Sequence, residues 1–188
     1  PDDAFKSIGG DDKRACTVLR RRNRGESKGL GPLFKQQDSE IQAQLAAAAA
    51  QLEELPDNRP EDIKEKELTF RRHKENDEYL HKKLLADAWC SAFVIKKYFL
   101  EPGRESSAHA ITQNHINILA ESHTLPTNLQ NEVNRLSEQY QFFHWHLAFP
   151  EVSAHGGFDC MLGNPPWEMV QFQDSDFFSA YPEIIRQR

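Results

Sequence analysis

The sequence predicts a mainly α fold, a helical bundle inserted in the edge of an open α/β sheet of which only one or two strands fall within these 188 residues. Three observations carry that expectation. Apolar residues recur at helical spacing through most of the stretch from Lys35 to Phe143, part of it rich in alanine. Breakers at 56–60, at 101–103 and at Pro126 divide that stretch into segments of helical length. Only one short apolar run, Phe158–Leu162, is bounded on both sides by turn residues in the manner of a buried strand.

Asp11–Arg24 reads as a short helix, acidic at its start and basic at its end, the polarity that suits the helix dipole. Gly25, Gly29, Gly31 and Pro32 then break the chain into a Gly-rich connection that carries Lys28. Lys35–Leu55 is strongly helical, with five consecutive alanines from Ala46 to Ala50 and an apolar stripe of Ile41, Leu45, Leu52 and Leu55. Pro60 opens a further helix at its first turn, where the missing amide costs nothing, and apolar spacing carries that helix to about Leu100.

Its first half, to Lys83, is charge-rich and expected to be exposed. Its second half carries two apolar rows, Leu80-Leu84-Ala88-Ala92 and Leu85-Trp89-Phe93, which place Trp89 in the core. The five-residue turn between the two long helices suggests an antiparallel hairpin. Thr112 caps a helix to about Glu121. Pro126 starts a last long helix, whose seam is Leu125, Leu129, Val133, Leu136, Tyr140 and Phe143. The aromatic run Phe142–Phe149 is expected to bridge the helices to the sheet, and Tyr181-Pro182-Glu183 to begin a last helical fragment.

Composition excludes some classes. No run approaches the ~18 apolar residues of a membrane helix, and Pro1-Asp2-Asp3 is neither a basic nor an apolar leader. Cys16, Cys90 and Cys160 are odd in number, widely spaced and in apolar contexts, so buried reduced thiols in a cytoplasmic protein are expected. His144, His146, His155 and Cys160 match no familiar zinc spacing, so no metal site is read there. A net charge of −6 means that any nucleic-acid contact must be local. The local candidate is Arg20, Arg21, Arg22 and Arg24 with Lys28, and a solvated, dipole-matched helix end explains the arginines equally well.

After the apolar run come Gly163-Asn164-Pro165-Pro166-Trp167. Two consecutive prolines fix φ and remove two donors, which leaves a stiff loop with carbonyls able to accept. Asn164-Pro165-Pro166-Trp167 resembles motif IV of the amino-methylating DNA methyltransferases, Asn/Asp/Ser-Pro-Pro-Tyr/Phe/Trp, and matches it at all four positions. The run Phe143–Val152, followed by Gly156–Asp159, is similar to the segment before motif IV in the large single-chain adenine methylases of restriction-modification and related phage-defence systems, the type IIG-like enzymes.

The resemblance implies that Asn164 and the Pro165 carbonyl accept from the amino group of a flipped adenine while Trp167 stacks on its ring, with Pro166 stiffening the loop. Asn rather than Ser at the first position is the ground for adenine. Ile8–Lys13, Leu19–Arg24 and Gly31–Phe34 are similar to the stretch between the cofactor strands and motif IV of the same family.

The resemblance further implies a Rossmann-like methyltransferase sheet, double-stranded DNA as partner and S-adenosylmethionine as methyl donor. No Gly-rich turn after an apolar strand is present to hold that donor, so the chain is expected to begin downstream of the cofactor site and to need the rest of a parent methyltransferase. Three segments follow: a basic helix and Gly-rich connection (1–34), a helical insertion (35–149) and a catalytic-loop segment (150–188). The alternative is a helical DNA-binding or interaction module that ends in a structural Asn-Pro-Pro turn.

Overall fold

The computed structural model describes residues 2–26, 31–101 and 108–164, and within 31–42 the backbone alone. A 3-10 turn, Asp2–Phe5, leads to α1 (Lys13–Glu26), α2 (Gly31–Glu54), α3 (Pro60–Lys74) and α4 (Asp77–Val94). A two-residue antiparallel ladder of β1 (Tyr98–Phe99) and β2 (Ala108–His109) follows, with Tyr98 opposite His109. Then come α5 (Gln113–Ser122), α6 (Thr127–Tyr140), α7 (Trp145–Ala148) and α8 (Pro150–Ala154). The chain is mainly α with a small sheet fragment. It divides into two compact units, Pro1–Gly157 and Phe158–Arg188.

The core of the first unit is built by α1, α4, α5 and α6. Leu19, Ala88, Ile95, Ile111, Leu119 and Val133 are almost wholly buried in one cluster, joined by Phe5 from the 3-10 turn. Full burial of a Leu, Ile or Val side chain contributes about 1.5–3 kcal/mol. The small residues Ala15, Ala88 and Ala92 let the helices approach closely, and the α6 seam Leu129, Val133 and Leu136 closes the far side. By contrast α3 buries none of its side chains, in keeping with its charge-rich sequence. α2 packs along α8, and Lys66 of α3 donates to the Leu55 carbonyl at 3.3 Å.

Polar groups fasten the start of the chain to residues some ninety positions away. Asp12 Oδ1 accepts from the Arg14 and Ala15 amides at 2.8 and 3.3 Å, the N-cap of α1. Asp11 Oδ1 accepts from the Lys97 amide at 2.9 Å, Asp11 Oδ2 from the Ile8 amide at 3.0 Å, and the Asp12 amide donates to the Lys97 carbonyl at 2.8 Å. Gly10 makes this possible by taking φ +91 just before the strap. The Lys97 side chain is wholly buried, donates to the Ile95 carbonyl at 2.8 Å and lies 3.9 Å from Asp11. Burial pushes its pKa down, against the pull of Asp11. Burial would also raise Asp11, but the Ile8 and Lys97 amides and the Lys97 charge hold it below the ordinary carboxylate value.

Several expected elements take a different form. The helix expected from Pro60 to Leu100 is two helices, because Asn76 adopts an extended conformation and its side chain accepts from the Glu78 amide at 2.8 Å, a cap that restarts the helix. The second of them stops at Val94, and Tyr98–Phe99 pair as a strand. Gly31 and Pro32, expected in a connection, form the first turn of α2. α6 ends at Gln141, which takes φ 50, so the seam stops at Leu136 and leaves Tyr140 and Phe143 50% and 60% exposed.

Trp89, expected in the core, is 41% exposed: Ala88 and Ala92 bury their face of α4, and Trp89 lies on the neighbouring face, between the partly buried Leu85 and Phe93. Cys16 is buried, Cys90 half-buried and Cys160 exposed, all three as free thiols, so burial holds for the first alone.

The expected strand Phe158–Leu162 is in no ladder among the described residues. A strand is defined by a paired neighbour, and without one its apolar side chains remain open: Phe158 is 45%, Met161 62% and Leu162 94% exposed. Residues 181–183 lie outside the described residues.

Candidate functional site

α8 is the last helix before the Asn-Pro-Pro-Trp loop in sequence. Pro150 occupies its first turn, and the helix ends when Gly156 and Gly157 take φ +99 and +113, where their amides return to the Ser153 and Val152 carbonyls at 3.2 and 2.9 Å. Side-chain-bearing residues rarely adopt such φ values, which is why a glycine pair stands here. Beyond it Phe158–Asn164 runs without regular secondary structure, and Asn164 is exposed. Pro165, Pro166 and Trp167 lie outside the described residues, as does Lys28.

The basic cluster sits on α1. Arg24 Nε donates to Asp2 at 2.7 Å, and Arg20 Nε stands 3.8 Å from the same carboxylate. The Arg24 hydrogen bond and charge lower the Asp2 pKa. Arg22 pairs with Glu26 at 2.7 Å, and Glu26 also accepts from the Asn114 amide at 3.0 Å. Burial would raise Glu26, but that amide and Arg22 hold it low. Asn23, buried one turn earlier, accepts from the Gln113 amide at 2.7 Å. The end of α1 therefore clamps the exposed amides at the start of α5, a satisfaction of helix-terminal donors that helical spacing alone does not reveal. Arg21 is exposed. Three of the named arginines are thus paired within the chain, and any phosphate would compete with Asp2 and Glu26 for them.

A third constellation has no motif in the sequence. His144, expected only as part of an aromatic bridge, donates through Nε2 to the buried Asp87 at 2.7 Å, and the other Asp87 oxygen is 2.6 Å from Lys83. Lys83 also reaches Ser137 at 3.4 Å. These contacts pin the start of α7 against α4 and α6. On one side of His144 lies an open cavity of about 900 Å³ between α4 and α7, lined by Lys82, Trp89, Cys90, Phe143, Trp145 and His146 among others. On the other is a smaller one of about 440 Å³, lined by Phe70, Tyr79, Phe142 and Phe149 with residues of both charges. Burial raises the pKa of Tyr79 and of Cys90, with Asp87 adding to both. Asp87 at four-residue spacing from Lys83, on a helix face that also carries Leu84 and Ala88, was the available signal for the cluster; the fifty-seven-residue separation from His144 hid the rest.

No group of three His, Cys, Asp or Glu side chains among the described residues could hold a metal ion. None of the described helices is long and apolar enough to cross a membrane. Nor do the described residues offer a cradle for a nucleoside donor: Gly9-Gly10 follows a 3-10 turn rather than a strand, and the β1–β2 ladder carries no glycine-rich turn among them.

A family model described as Eco57I restriction-modification methylase matches residues 33–184, from the start of α2 through the Asn164–Trp167 loop. No curated protein and no solved structure gives a significant match.

Proposed function

The chain belongs to the Eco57I restriction-modification methylase family, and from that premise we propose that it carries the amine-positioning loop of an adenine-specific, type IIG-like DNA methyltransferase. The methyl group comes from S-adenosylmethionine and goes to the exocyclic amino group of a flipped adenine. The observation that carries this reading is the tetrapeptide Asn164-Pro165-Pro166-Trp167, which lies inside the family-matched span and follows an apolar run with a glycine pair before it.

An aromatic amine is a poor nucleophile because its lone pair is delocalised into the ring. In this reading the Asn164 side-chain oxygen and the Pro165 carbonyl accept its two hydrogens. They favour a pyramidal nitrogen and stabilise the positive charge that develops on it as the new bond forms. Pro166 keeps the loop stiff. Trp167 offers a stacking surface to the extruded base, which offsets part of the few kcal/mol that extrusion costs. The described residues do not fit the donor, so its pocket is assigned to the rest of a parent enzyme. Arg20, Arg21, Arg22, Arg24 and Lys28 are proposed as the phosphate-facing group, with Asp2 and Glu26 as the partners DNA would displace.

The test is Asn164→Ala in the intact methylase. Cofactor binding is expected to stay near normal while single-turnover methylation slows by about 2.7–4 kcal/mol, the loss that follows removal of one preorganised partner for transition-state charge. Methylation at near-normal rate would show that the loop is a structural turn. The 188-residue chain alone, given the donor, is expected to show neither methylation nor binding.

A further inference from the structure

The open cavity between α4 and α7 has a composition that the methylation reading leaves unused. Trp89, Phe143 and Trp145 line it while remaining 41%, 60% and 50% exposed. Apolar rings of that size are normally turned into the core, and here the Asp87–His144 contact holds the segment that presents two of them. Among the described residues, the ionisable groups in the lining are Lys82, Cys90, His144 and His146, in a chain whose net charge is −6; the carboxylate of Asp87 stands behind His144 at 2.7 Å and is also paired with Lys83. A site so built suits a ligand that is planar, aromatic and anionic. Its volume of about 900 Å³ is near the upper end of the roughly 300–1,000 Å³ usual for small-ligand sites, and it offers two aromatic surfaces, Trp89 and the edge-to-face pair Phe143–Trp145 with ring centroids 5.0 Å apart, where a single base uses one.

We propose that this cavity binds consecutive nucleotides of a single DNA strand, with bases stacked on Trp89 and on the Phe143–Trp145 pair and a phosphate held near Lys82. Stacking is tolerant of sequence because every base has a π face, so this contact holds a strand without reading it. The site shares with the methyltransferase reading only the expectation of a DNA partner, and it is separate from the Asn164–Trp167 loop in sequence and in chemistry.

The experiment uses the full chain with Trp167→Phe, so that tryptophan fluorescence reports Trp89 and Trp145 alone. Titration with a thymidylate oligomer of about ten nucleotides is expected to quench that fluorescence saturably. Trp89→Ala and, separately, Trp145→Ala should each weaken binding by roughly five- to a hundredfold, with helical circular dichroism unchanged. Lys82→Gln should reduce the slope of log affinity against log salt by about 0.7.

Absence of quenching, or oligomer affinity unchanged in both tryptophan variants, would overturn the proposal. Thymidine monophosphate bound as tightly as the oligomer would overturn it too, since the site would then serve a free nucleotide. Oligomer binding that survives Asn164→Ala is the expected pattern. Loss of oligomer binding in that variant would place the strand at the catalytic loop instead and refute this site.

Discussion

Residues 2–157 and residues 158–164 both carry apolar side chains, and they use them in opposite ways. In the first unit Leu19, Ile95, Leu119 and Val133 are almost wholly buried, and buried polar groups such as Asp11, Asn23 and Asp87 have partners drawn from distant parts of the chain. In the short run before the Asn-Pro-Pro-Trp loop, Leu162 is 94% exposed and no ladder holds the backbone among the described residues. Apolar content alone therefore does not make a core. Helices satisfy their own backbone and need only a neighbour's face, whereas a strand needs a partner's backbone as well.

Mutation should separate the two regions. Leu119→Ala in α5 should cost about 2–5 kcal/mol in urea unfolding, because it removes a fully buried side chain and leaves a cavity. Leu162→Ala should cost less than about 0.5 kcal/mol in the same measurement, as for other surface substitutions. Equal losses would mean that the two regions are one cooperative core.

On the functional side, Trp167→Ala in the intact methylase should weaken retention of the flipped base by roughly 1–3 kcal/mol, read by 2-aminopurine fluorescence at the target position. The first unit should not respond, and its melting temperature is expected to stay constant.

A smaller effect concerns the α1 arginines. Neutralising Arg20, Arg21, Arg22 and Arg24 together should weaken DNA binding for all sequences alike and flatten its salt dependence by about one unit for each phosphate left without its arginine. Unchanged binding would leave them as partners of Asp2 and Glu26 only. The same change should loosen the clamp on α5, since Arg22 helps to hold Glu26 against the Asn114 amide.

The smallest expected effect is on pH dependence, and the groups concerned all belong to the packed unit. Burial lowers the pKa of His81, which donates to the Leu119 carbonyl at 2.9 Å and stacks on His123, and burial also lowers that of His115, whose Nδ1 accepts from the Thr112 amide. With folded values below the ordinary value near 6.5, the unfolded chain binds more protons in the interval between them. Stability is therefore complete above about pH 6.5 and is lost as pH falls through that interval. Asp11, held low, adds a second loss below about pH 4. Melting temperatures that stay level from about pH 8 to pH 5 would contradict the histidine assignment.

Much of the helical order was legible because periodicity and breakers are local. α1, α2, α5 and α6 lie within a few residues of their expected spans, and Pro60 and Thr112 stand at the helix starts where their chemistry put them. The break at Asn76 was legible in principle, as a capping residue followed by two acids, yet the apolar spacing on either side concealed it. The motif Asn164-Pro165-Pro166-Trp167 was likewise a property of the sequence, and so is the family to which it points.

Only tertiary structure decided which face each helix buries and which polar groups find one another. Trp89 is exposed because the small residues Ala88 and Ala92 bury the neighbouring face of α4. Arg22 and Arg24 are held by Glu26 and Asp2 as well as by the dipole of their own helix. Asp87 meets His144, and Asp11 meets Lys97, across fifty-seven and eighty-six residues. Spacing along a chain determines local hydrogen bonding, but burial and long-range pairing depend on which surfaces meet, and that is settled only when the helices pack.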